Sequence, residues 1–168
     1  MNLNSKKYPN ITYERGQEIF LSPDEVNSAF YFDVEEELTE NDEAMSNVAA
    51  MLDEVDALEE AAKVFLKKTL ENEQNEYYRT VAFFMEFHRN DIDCDTAAEL
   101  FSTDDPSALS FAEMVDYLKI KRFGSSIDRD CKEQIFIMDL SFDPEITDEL
   151  MVVYFDLNKQ IIHLSHES

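Results

Sequence analysis

In 168 residues the chain carries 38 acids against 14 Lys and Arg, a net charge of −24 with a pI near 4.2. That length predicts one domain, residues 1–168, and 44% hydrophobic residues, with 13 Phe and 7 Tyr, are enough for a single core. The charge excludes direct binding to a phosphate backbone or an anionic membrane surface, because neither would find the basic stripe it needs.

The two cysteines, Cys94 and Cys131, exclude a disulfide-rich scaffold and a four-cysteine zinc site. No apolar run approaches the roughly 18 residues of a spanning helix. The first ten residues lack the apolar segment of a signal peptide, so the expected location is the cytoplasm, with both thiols free.

Met1 to Asn10 is polar, ends near Pro9 and reads as a loose N-terminal arm. Glu18–Leu21 and Ala29–Val34 then read as strands of a hairpin, joined through the turn chemistry of Ser22, Pro23 and Asp24. In the second strand Phe30, Phe32 and Val34 alternate with Tyr31 and Asp33, which predicts one buried face.

From Asn41 the period becomes helical. Asn41 is a good N-cap, Asp42 and Glu43 suit the first turn, and Met45, Val48, Leu52, Val55, Ala62, Phe65 and Leu66 recur at spacings of mostly three and four. This predicts an amphipathic helix whose opposite face carries Asp53, Asp56, Glu59, Glu60 and Lys63. A second helix is predicted over about Glu76 to Arg89, with Val81, Phe84, Met85 and His88 on one stripe. Asp91–Phe101 reads as a short helix capped by Asp93, and Ser110–Glu113 is a capping box that starts another.

After Leu118 the period is that of strands. Lys119–Phe123 alternates basic and apolar residues before Gly124-Ser125-Ser126 breaks it. Gln134–Phe142 places Phe136, Met138, Leu140 and Phe142 on one face. Leu150–Phe155 is apolar on both faces, as a central strand would be, and Gln160–Ser165 returns after a turn. The expected fold is α+β: an antiparallel sheet of four to six strands, from an N-terminal hairpin and a C-terminal meander, with about four helices packed on one face.

The C-terminal segment has a distinctive order: Glu145-Ile146-Thr147-Asp148-Glu149-Leu150, then Val152-Val153, Phe155-Asp156 and finally Ile162-His163-Leu164-Ser165-His166-Glu167-Ser168. It resembles the ending of a bacterial family of small acidic proteins catalogued only as a domain of unknown function. The acidic N-terminal hairpin and the helix pair also fit, so the resemblance covers most of the chain. Its specific part is about 25 residues, and the loop Gly124–Cys131 departs from it. The resemblance implies a bacterial origin and carries no catalytic residue.

Chemical motifs are scarce. Asp91, Asp93 and Asp95 match the start of a calcium loop, which then fails, with Thr96 where Gly is needed and Ser102 where the bidentate Glu is needed. Gly16 and Gly124 are the only glycines, so there is no phosphate-cradling loop and no nucleophile elbow. Neither cysteine has a histidine base placed by spacing. His163, His166 and Asp148 are the only metal-compatible set, and strand periodicity sends residues three apart to opposite faces. No cofactor is expected.

The distribution of charge is the remaining signal. Between Gly16 and Ala62 there are fifteen acids and no base, and between Asn90 and Leu118 eight more and no base. Such a surface either steers a cationic partner or serves as a solvated, solubilising face. On the first reading the expected function is a non-enzymatic protein-binding module, an immunity-protein-like inhibitor of a basic protein. Asp53, Asp56, Glu59 and Glu60 supply the charge, and Tyr77 and Tyr78 the aromatic anchors. The alternative is a metal-dependent or carboxylate-based hydrolase using Asp148, Glu149, His163 and His166. A homodimer through a sheet edge or the aromatic helix is compatible with either.

Overall fold

Six strands form one sheet whose spatial order is the order of the chain. The computed structural model describes residues 1–168. β1 (Ile19–Leu21) pairs antiparallel with β2 (Tyr31–Val34), and α1 (Pro23–Val26) fills their connection. β3 (Lys119–Ile127), β4 (Gln134–Ser141), β5 (Leu150–Phe155) and β6 (Ile161–Glu167) form an antiparallel meander. The architecture is the expected α+β, with one correction: β2 and β3 run parallel, so the sheet is mixed. Parallel neighbours need a crossover, and here the whole helical block from residue 35 to 118 provides it.

Gly124 permits that parallel junction. Expected to break the strand, it instead lies inside β3, opposite Asp33. A Cβ there would sit 2.2 Å from Asp33 Oδ1 and 2.6 Å from its carbonyl oxygen. The absent side chain is what lets Asp33 lie against β3.

The helical block contains α2 (Glu36–Thr39), α3 (Asp42–Asp53), α4 (Val55–Leu70), α5 (Tyr78–Glu86), α6 (Cys94–Leu100) and α7 (Phe111–Val115). The long helix expected from Asn41 is two helices, α3 and α4, which meet at Glu54 with φ −108° and ψ 17°. The periodicity survives the break because apolar residues on both sides of it face the same core. Asn41, Asp93 and Ser110 cap α3, α6 and α7 through their side chains, as the sequence predicts.

Register sets the core. Phe32, Phe123, Met138, Val153 and Leu164 line up across five strands on the helix-facing side, each 2% exposed or less. Each large apolar side chain buried there contributes about 1.5–3 kcal/mol. The opposite side alternates with it: Asp33, Gly124, Ile137, Tyr154 and His163 form one row.

Residues 1–10, expected as a loose arm, are fastened. Leu3, Ser5, Ile11 and Tyr13 are buried, and Leu3 N–H donates to Ile11 O at 3.0 Å. Ser5 Oγ donates to Asp53 Oδ1 at 2.6 Å, the Lys7 amide donates to the same oxygen at 3.0 Å, and Lys7 Nζ pairs with Asp56. Periodicity over ten mostly polar residues has no way to register partners about fifty positions away. No helix is long and apolar enough to cross a membrane.

Candidate functional site

The residues expected to form the anionic docking face divide into two groups. Asp53 and Asp56 hold the N-terminal segment, while Glu60 stays exposed and Glu59 half-exposed. Burial works against the Asp53 carboxylate, and its hydrogen bonds from Ser5 and the Lys7 and Lys6 backbone outweigh that, holding it below the usual carboxylate range. Tyr77 and Tyr78 lie elsewhere. Tyr77 packs on Phe65 with ring centres 6.4 Å apart, about two and a half turns of α4 beyond Asp56. Tyr77 therefore lies along α4 from Asp53 and Asp56 rather than beside them.

Six of the fifteen acids of the first base-free stretch are in ion pairs within the fold, Asp56 with Lys7 and Glu37 with Arg129 among them. Asp33 takes Arg122, Glu35 takes Arg129, Asp42 takes Arg15, and Glu54 takes Lys159. The second stretch is different, because Asp116 with Lys67 is its only ion pair.

That second stretch builds a groove. At the end of α5 the helix widens into one π turn, Phe87–Asp91, closed by Ile92 N–H donating to Phe87 O at 3.1 Å. Arg89 secures the turn: it donates to Leu109 O at 2.8 Å and lies 4.3 Å above the Phe111 ring. Asp93 then caps α6. Against this corner packs the connection between β4 and β5, residues 142–149. The groove between them is lined by Phe87, Ile92 and Ile146 as apolar floor and by Asp93, Glu145 and Asp148 as rim. None of the three rim carboxylates makes an ion pair. Arg89 of the π turn is engaged by Leu109 and Phe111, and no Lys or Arg lines the groove itself.

Beneath the groove lies His88, which is completely buried. Its Nδ1–H donates to Phe84 O at 2.8 Å, and its Nε2 accepts from Thr147 Oγ1 at 3.2 Å. The rings of Phe84, Phe87 and Phe142 surround it. Burial lowers its pKa, outweighing the Phe84 carbonyl and the charge of Glu149, so the imidazole is neutral at pH 7. The sequence places His88 on a buried stripe and does not reveal that it fastens the β4–β5 connection. No local pattern encodes a bond spanning 59 residues.

The hydrolase set does not converge. His166 Nε2 donates to Glu149 Oε2 at 2.7 Å, on the side facing α5. His163 sits on the other side of the sheet, 5.4 Å from the Tyr154 ring. Asp148 is exposed on the groove rim. Nowhere do three His, Cys, Asp or Glu side chains take up a metal-holding arrangement. Cys94 and Cys131 are exposed free thiols on separate elements.

No protein-family model matches the chain, and no curated protein or solved structure matches it.

Proposed function

We propose that this protein is a non-enzymatic binding module for a basic protein, acting as an immunity-protein-like inhibitor does, and that it engages its partner through the groove between the π turn and the β4–β5 connection. The carrying observation is the groove's chemistry: the carboxylates of Asp93, Glu145 and Asp148, none of them in an ion pair, around Phe87, Ile92 and Ile146, with no Lys or Arg among the lining residues. A Lys or Arg side chain suits such a site, with its aliphatic stem on the apolar floor and its charged head at the rim. The net charge of −24 adds long-range steering toward a cationic surface.

The groove is preferred to the α3–α4 face because Asp53 and Asp56 already have partners there, whereas Asp93 accepts only the bonds of its own helix cap and Glu145 and Asp148 form no ion pair. The test is a titration of the labelled protein with a peptide of alternating Lys and Leu, followed by NMR at low and high salt. Shifts confined to Phe87, Ile92, Thr96 and Ile146, weakened by salt and lost in Asp93→Lys/Glu145→Lys/Asp148→Lys, are expected. Binding that survives this triple reversal but is lost in Glu59→Lys/Glu60→Lys would return the site to α4. No binding by the unaltered protein would overturn the reading.

A further inference from the structure

One free edge of the sheet is β6. It is seven residues long, ends the sheet, and contains no Lys, Arg or Pro. Natural sheets guard such an edge with these residues, with a bulge or with a covering element, because its unpaired N–H and C=O groups invite another strand; here the one register shift lies at the start of β6, between Ile161 and His163, and Leu164–Glu167 pair regularly. Here Ile162 is 44% exposed, and the Ser165 hydroxyl is buried with no hydrogen-bond partner. The carbonyl of Ile162 faces away from β5, since it accepts from Tyr77 Oη at 3.4 Å. By strand alternation Leu164 and His166 turn their backbone groups the same way.

α5 runs alongside this edge in the same direction. Tyr77 lies by His163, with ring centres 5.8 Å apart, and Phe84 by His166, at 5.1 Å. The outward stripe of α5 is Arg79, Phe83 and Glu86, at spacings of four and three, and all three are exposed, Phe83 at 60%.

We propose that a second copy of this chain pairs antiparallel with the β6 edge about a two-fold axis at Ser165. An isologous contact requires the same patch to complement itself, and this one does. Centring on Ser165 sets Leu164 against the other copy's His166, so that the outward backbone groups of both exchange hydrogen bonds. Ser165 then meets its own counterpart in a non-hydrogen-bonded pair, where facing side chains are closest. A turn about χ1 gives each orphaned hydroxyl the other as partner. His163 comes opposite Glu167. On the helix side the two α5 helices lie antiparallel, which brings Arg79 of each toward Glu86 of the other and the two Phe83 rings together between them.

Charge favours this edge over the helical faces. Two copies of net charge −24 repel, and the strand itself carries one carboxylate, Glu167, beside two histidines. Salt should therefore strengthen the dimer by screening the repulsion, whereas it weakens capture of a basic partner.

The test is sedimentation of the full chain over a concentration series reaching ~0.2 mM, where even a weak association of Kd ~10–100 μM is visible. A dimer tightened by added salt is expected. Arg79→Glu should weaken it at least ~10-fold, and the double swap Arg79→Glu/Glu86→Arg should restore it, since both sites are exposed and the complementarity returns. Slowed amide exchange at Leu164 and His166 in the dimer would locate the seam. A chain that stays monomeric throughout overturns the proposal. So does a dimer that ignores Arg79→Glu, and so does a monomer whose β6 edge takes up only an unrelated strand.

Discussion

Arg122 on β3 and Asp33 on β2 join the two halves of the chain across the one parallel junction, through two hydrogen bonds of 2.7 Å each. The guanidinium fork matches the carboxylate, and both side chains are mostly covered. Asp139 approaches the same guanidinium less closely, at 3.5 Å. Burial raises the Asp139 pKa and outweighs the attraction of Arg122. Asp33→Ala should therefore cost about 2–3 kcal/mol by leaving the half-buried guanidinium with only the looser Asp139 contact, whereas Asp139→Asn should change stability by less than about 1 kcal/mol. Urea unfolding of the two variants checks the order, and an equal loss in both would refute it.

Gly124 presents a steric problem at the same junction. Its neighbours leave no space for a methyl group, the nearest being Asp33 Oδ1 at 2.2 Å and a backbone carbonyl that cannot swing aside, at 2.6 Å. Gly124→Ala should destabilise by about 3 kcal/mol or more and loosen the Asp33–Arg122 pair with it. Slow amide exchange across β2 and β3 in the wild type should become fast in the variant. Unchanged protection there would mean that the junction tolerates a side chain.

His88 gives the fold a pH dependence whose sign follows from its burial. Its folded pKa lies below the ordinary value of 6.5, so the unfolded chain binds the proton more readily. The stability from neutral His88 is complete above pH about 6.5 and falls as pH drops toward the folded pKa, with a slope of at most ~1.4 kcal/mol per pH unit. Denaturant midpoints measured between pH 7.5 and 5 should fall toward acid in the wild type. In His88→Gln the slope should be smaller, at lower overall stability. An equal slope in both proteins would assign the effect to other groups.

Local chemistry determined most of the secondary structure. The caps at Asn41, Asp93 and Ser110, the alternation at Phe30, Phe32 and Val34, and the run Phe136, Met138, Leu140, Phe142 are each decided by neighbours a few residues away, and so they were legible. The α+β class followed from their order. Tertiary structure alone decided the direction of β2 against β3, the role of Gly124 as a contact rather than a break, and the fastening of Leu3 and Ser5. It also determined which carboxylates remain free. Asp53 and Glu145 are indistinguishable in composition, yet the first is held by Ser5, 48 residues away, and the second lines an open groove. Charge and periodicity are sums over near neighbours, whereas a binding site depends on which distant groups the fold has already paired.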